Sequence, residues 1–137
     1  MDQYPTHAVF IADDDEDDRL LLKYAFAQHS PECELIFAED GLALLDALAQ
    51  LTSEPCLIIL DLNMPRLNGL EALQVLRLST QYKHTPIVIL TTSSDSTDRQ
   101  DAYALGANEY LIKPISVDLL GQMVLHLRKA WHLDQCV

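Results

Sequence analysis

The residues able to do chemistry in this chain are the carboxylates of Asp13, Asp14 and Asp61, the hydroxyl of Thr91 and the ammonium of Lys113. Each stands directly behind a short apolar run: Ala8-Val9-Phe10-Ile11-Ala12, Leu57-Ile58-Ile59-Leu60, Ile87-Val88-Ile89-Leu90 and Tyr110-Leu111-Ile112. One aspartate in such a place is by default a turn residue. The recurrence is what calls for a second reading. Carboxylates brought together repel, so they take up protons or recruit a cation. An all-oxygen donor set suits Mg²⁺, with Mn²⁺ as a possible substitute. Lys113 could hold one phosphoryl oxygen and Thr91 could donate a hydrogen bond to another. A carboxylate, a divalent cation and a lysine are the parts needed for phosphoryl transfer onto an aspartate, with Asp61 attacking in line.

Such a gathering requires elements that end at one edge. Apolar runs without alternation suit strands buried on both faces, as in parallel sheets. Pro65 cannot donate to a ladder and marks the exit after Asp61. Between the runs lie stretches with helical spacing: roughly Asp17 to Gln28, ended by His29-Ser30-Pro31; Leu42, Leu45, Leu48 and Ala49 after the Asp40-Gly41 turn; Leu70, Leu73 and Leu76 after Asn68-Gly69; a weaker stretch from Thr97 to Leu105, stopped by Gly106 in a left-handed C-cap; and a last helix from Val117 carrying Leu120, Met123, Val124, Leu127 and Trp131. Leu35-Ile36-Phe37-Ala38 supplies a further strand. Five β-α repeats connected by crossover helices imply a parallel sheet covered on both faces. The expected fold is a doubly wound α/β sandwich, and sites in such folds form beyond the carboxyl ends of the strands. Strand two ends in plain Ala38, which suits an edge position away from the site.

The 137 residues suffice for one domain with a real core, and nearly half are hydrophobic. The formal net charge of −12 argues against nucleic acid and suits a metal cation or a basic protein surface. No apolar run reaches the ~18 residues of a membrane span, and no leader pattern stands at the start, so a soluble cytoplasmic protein without membrane association is expected. Cys33, Cys56 and Cys136 resemble neither a disulfide framework nor a zinc site; Cys56 reads as a small core residue.

The pieces Val9-Phe10-Ile11-Ala12-Asp13-Asp14, Leu60-Asp61-Leu62-Asn63-Met64-Pro65 with Gly69, Ile89-Leu90-Thr91 and Tyr110-Leu111-Ile112-Lys113-Pro114 together resemble the receiver domain of two-component response regulators. Each piece alone is weak; in this order and spacing they are specific, and they cover essentially the whole chain. The resemblance implies a flavodoxin-like (βα)5 fold with strand order 2-1-3-4-5, and a single receiver domain over 1–137 (core about 7–132) without an output domain. It implies a signalling module rather than an enzyme, which catalyses its own phosphorylation and dephosphorylation. Asp61 would accept a phosphoryl group from a partner histidine kinase. Asp14 and Asp61 would ligate Mg²⁺ through side chains, Asn63 through its backbone carbonyl and Asp13 mainly through water. Thr91 and Lys113 would grip the phosphoryl oxygens, Tyr110 would swing between outward and inward rotamers, and the Lys113-Pro114 peptide would be cis.

The stretches Asp13-Asp14-Asp15-Glu16-Asp17-Asp18-Arg19 and Leu90-Thr91-Thr92-Ser93-Ser94 are similar to those of small regulators serving bacterial phytochrome kinases. That likeness implies a homodimer that passes its signal by contact to a downstream protein. An aspartyl-phosphate hydrolase of the haloacid-dehalogenase kind would want a second Asp where Asn63 stands. A flavin carrier would want a phosphate-binding loop where three aspartates follow strand one. Asp15 to Asp18 read most simply as a solvated helix N-terminus. Thr92 and Ser93 either border the site or cap the loop, His7, His84, His126 and His132 read as surface residues, and Trp131 reads as an interface residue.

Overall fold

A computed structural model describes residues 8–50 and 54–135. The elements alternate as β1 (Ala8–Ala12), α1 (Glu16–His29), β2 (Glu34–Ala38), α2 (Gly41–Ala49), β3 (Leu57–Leu60), α3 (Gly69–Leu78), β4 (Ile87–Thr91), α4 (Ser96–Ala104), β5 (Glu109–Ile112) and α5 (Val117–Ala130), with a short 3₁₀ turn at Leu133–Gln135. All strand pairs are parallel, in the order β2-β1-β3-β4-β5. This is the doubly wound order expected from the sequence, with β2 at one edge.

The sheet is buried on both faces because its central strands are apolar at every position but Thr91, and alternate residues feed two separate cores. Phe10, Ile58, Leu60, Ile87 and Ile89 join Leu44 and Leu48 of α2, Leu73 and Leu76 of α3 and Ala102 of α4. Val9, Ile11, Leu57, Ile59, Val88 and Leu90 join Leu22 and Phe26 of α1 and Leu120, Val124 and Leu127 of α5.

Each helix begins on a side-chain acceptor that satisfies amides the helix cannot. These are Asp15, Asp40, Asn68 (in a capping box with Glu71), Asp95 and Ser116. After α4 the chain reverses at Gly106, whose φ of +105° only glycine adopts without strain.

At the end of the sheet remote from the site, one side chain bonds several segments at once. The Arg77 guanidinium donates to the carbonyls of Tyr82 (2.8 Å), Lys83 (3.3 Å), Thr85 (2.7 Å) and Gly106 (3.0 Å), and to Asn108 Oδ1 (2.8 Å). It thereby joins the end of α3 to the segments entering β4 and β5.

Two expectations are corrected, and a third residue gains internal partners. The Lys113–Pro114 peptide is trans, as are all peptides among the described residues; trans is the lower-energy isomer for X–Pro by about 0.5–1 kcal/mol. Cys56 is half-buried against the α1/α5 core and is disulfide-bonded, whereas Cys33 is free. Trp131 is half-buried at the end of α5, packs on the same core, and donates its indole N–H to Glu109 of β5 at 2.8 Å. His84, His126 and His132 are exposed; His7 and Cys136 lie outside the described residues. Among those residues no helix is long and apolar enough to cross a membrane.

Candidate functional site

Strand register brings the site together. Ala12 of β1 pairs with Leu60 of β3, and the Asp61 amide donates to the Ala12 carbonyl at 3.0 Å, so Asp13 and Asp61 leave the sheet side by side. Thr91 of β4 pairs with Ile112 of β5, and the Lys113 amide donates to the Thr91 carbonyl at 2.8 Å. The chain then turns tightly behind Asp61. The Gly69 amide donates to the Leu62 carbonyl at 3.0 Å, and a Cβ on Gly69 would fall 2.2 Å from the Asp61 carbonyl oxygen. Only a residue without a side chain lets α3 start so close to the acidic edge.

The carboxylates of Asp13 and Asp61 are buried, that of Asp14 is exposed, and one oxygen from each lies within 4.8 Å of the others. Lys113 Nζ stands among carboxylates, 2.7 Å from Asp61 Oδ2, 2.9 Å from Asp13 Oδ2 and 2.7 Å from Asp18 Oδ2. Burial pushes the Asp13 carboxyl above its ordinary value, against the Asp15 amide and Lys113, which pull it down. Burial pulls Lys113 down, and the hydrogen bonds to Asp18, Asp61 and Asp13 more than reverse that, so its ammonium is held firmly protonated. The donor set fits a hard divalent cation: carboxylate oxygens only, convergent, two of the three groups partly desolvated.

Thr91 is fully buried, and its hydroxyl accepts from the Ser93 amide at 3.3 Å. Tyr110 is turned inward, 4% exposed, and its hydroxyl donates to the Ser93 carbonyl at 2.9 Å. The Arg99 guanidinium of α4 lies 4.9 Å from the centre of the Tyr110 ring. Ser93 thus touches both the β4 hydroxyl and the β5 aromatic. Its own hydroxyl donates to Asp98 (2.6 Å) and accepts from the Asp95 amide (3.3 Å), which makes it the cap of the β4–α4 loop, while Thr92 is exposed. Asn63 is exposed, and its backbone N–H reaches Asp61 Oδ1 at 3.3 Å.

Every sequence-derived site residue except Asn63 and Asp14 is therefore wholly or mostly out of water. Asp18 was assigned to the solvated N-terminus of α1 and instead reaches inward to Lys113. No spacing in the sequence separates it from Glu16 and Asp17; the phase of α1 turns it alone onto Lys113.

A doubly wound sheet whose carboxyl edge carries three convergent aspartates, a buried threonine and a lysine defines the class of open parallel α/β modules with an acidic site beyond the strand ends. The chain belongs to the response regulator receiver domain family, whose sequence profile matches residues 9–125. Among relatives, response regulator Rcp1 of Synechocystis is 32% identical over 132 residues, covering 93% of this chain and 90% of that protein. The crystal structure of the phosphorylated cyanobacterial phytochrome response regulator RcpA superposes with a TM-score of 0.84 at 29% identity, covering 94% of this chain and 95% of that one. The Mn²⁺-bound form of Rcp1 superposes with a TM-score of 0.82 at 32% identity, covering 97% and 98%.

Proposed function

We propose that residues 1–137 act as one phosphorylation-switched signalling domain, in which Asp61 accepts a phosphoryl group from the phosphohistidine of a partner sensor kinase. The observation that carries this reading is the placement of the Asp61 carboxylate, buried at the sheet edge, 2.7 Å from Lys113 Nζ and inside the cluster with Asp13 and Asp14. An Asp61 oxygen attacks phosphorus, the bond from phosphorus to the kinase imidazole breaks, and the imidazole leaves with the electron pair. Lys113 carries its charge to the transferred oxygens, and Thr91 turns its hydroxyl toward them. Asp13, Asp14, Asp61 and the Asn63 carbonyl are the groups that would hold Mg²⁺, or Mn²⁺ in its place; the cation would offset charge on the incoming phosphoryl group.

The output follows from Ser93. When Thr91 moves toward the phosphoryl group, the Ser93 amide that bonds it and the Ser93 carbonyl that receives Tyr110 are drawn along, so the β4–α4 loop and the Tyr110 ring change together. The chain does not act as an enzyme on an outside substrate; it signals through contact with a downstream protein. The similarity to RcpA and Rcp1 supports a phytochrome-type kinase as the donor and a cytoplasmic setting. The exposed apolar side chains Ile112, Ile115, Val117 and Leu119 support a homodimer.

The test is phosphoryl incorporation from acetyl phosphate with and without Mg²⁺. Base-labile label is expected on the wild-type protein with Mg²⁺ and absent from Asp61→Asn. Label that persists in Asp61→Asn would remove Asp61 from the role. If neither protein is labelled by acetyl phosphate or by a phosphorylated phytochrome kinase, the reading fails.

A further inference from the structure

We propose that Asp18 is a positioning residue for Lys113, holding its ammonium beside the site while a divalent cation takes over Asp13 and Asp61. The inference rests on the metal-dependent reading above and assigns a part to a residue outside the acidic trio.

An ammonium has three N–H donors; Lys113 Nζ donates to Asp18 and Asp61, both at 2.7 Å, and pairs with the Asp13 carboxylate at 2.9 Å. Asp13 and Asp61 belong to the metal cluster, whereas Asp18 does not. A cation settling on the cluster would compete for two of the three partners and add a like charge close to Nζ. The lysine then either contests the carboxylates with the metal or withdraws out of reach of the acceptor. Asp18 offers a third course, because it bonds Nζ from α1.

The surroundings fix that bond. Asp15 caps α1 by accepting from the amides of Asp17 (2.8 Å) and Asp18 (3.2 Å), which sets the first turn. The Arg19 guanidinium donates to the Asp13 carbonyl at 2.7 Å, tying that turn to the end of β1. A small cleft of about 40 Å³ beside Asp18 and Lys113 has apolar walls of Leu21, Leu22, Leu90 and Leu120. The Lys113 side chain is only 13% exposed and that of Asp18 is 32% exposed, so the pair is partly shielded from water and salt. Glu16 and Asp17, equally acidic and in the same turn, are exposed.

Asp17→Asn is therefore a charge-matched control one residue away. Mn²⁺ affinity, read from the free-ion electron paramagnetic resonance signal, is to be compared for wild type, Asp18→Asn, Asp17→Asn, Lys113→Ala and Lys113→Ala combined with each. A loss of about fivefold is expected for Asp18→Asn and less than about twofold for Asp17→Asn, and the difference should vanish in the Lys113→Ala background. Equal losses in the two single variants would reduce Asp18 to one more negative charge and overturn the proposal. A loss that survives removal of Lys113 would make Asp18 a ligand or a folding residue, and would overturn it as well. Wild-type protein that binds no Mn²⁺ would overturn both this inference and the reading beneath it. A second readout needs no variant: the Lys113 ammonium resonance should stay protected from exchange at saturating Mg²⁺, and its disappearance into solvent exchange would refute the anchor.

Discussion

At the scale of single residues, two positions near the acidic edge allow quantitative expectations. A methyl group on Gly69 would meet backbone atoms, the Asp61 oxygen at 2.2 Å and Leu62 Cα at 2.8 Å, so neither neighbour can rotate away. Gly69→Ala should cost about 2–3 kcal/mol in urea unfolding, and it should lower phosphoryl uptake more than a distant substitution of equal cost, because the strain falls on Asp61 itself. Asp40 is the other. Its carboxylate accepts from the Ala43 amide at 2.8 Å and pairs with Arg66 (2.8 and 2.7 Å), the arginine standing at φ 66° just after Pro65. The Ala43 amide first, and Arg66 after it, hold the carboxyl below its ordinary 3.8 despite burial. The unfolded chain then takes up this proton before the folded one as the pH falls. The contribution of Asp40 is complete above about pH 4 and is lost as pH drops through the folded-state value. Thermal melts between about pH 6 and pH 2.5 should therefore steepen less with acid for Asp40→Asn than for wild type.

At the scale of elements, β4 and β5 are coupled through a loop residue that neither strand contains. Tyr110→Phe removes the hydroxyl donated to the Ser93 carbonyl; the expected cost is about 1 kcal/mol, with faster amide exchange confined to Asp95 through Asp98. Exchange that speeds equally in α1 would mean the bond supports the whole domain instead. The elements themselves were open to reading from sequence, because the uninterrupted runs Ala8–Ala12, Leu57–Leu60 and Ile87–Thr91 have only one comfortable setting, a strand buried on both faces. The acidic cluster followed from the same logic, since parallel strands deliver their carboxyl ends to one edge. What could not be read was the direction of single side chains. Asp17 and Asp18 are identical and adjacent, and only the helix phase fixed by Asp15, Leu22 and Phe26 turns one outward and the other onto Lys113. Trp131 escaped for a similar reason, as its indole partner Glu109 lies in β5, 22 positions away.

At the scale of the whole molecule, the two faces of the sheet carry separate cores, and the surface around α5 leaves Ile115 97% exposed beside Val117 and Leu119. Sedimentation should find a dimer for the wild-type protein and a monomer for Leu119→Glu if that surface mediates the proposed association. The ends of the sheet are also unequal. At the far end, Arg77 ties α3, the entry to β4 and the entry to β5 with five acceptors, and burial lowers the pKa of its guanidinium. At the near end, the β4–α4 loop hangs from single bonds around Ser93. With β4 held by β3 on one side and β5 on the other, and its far end moored by Arg77, the proposed pull on Thr91 would be taken up in the sparsely bonded β4–α4 loop and not in the strands.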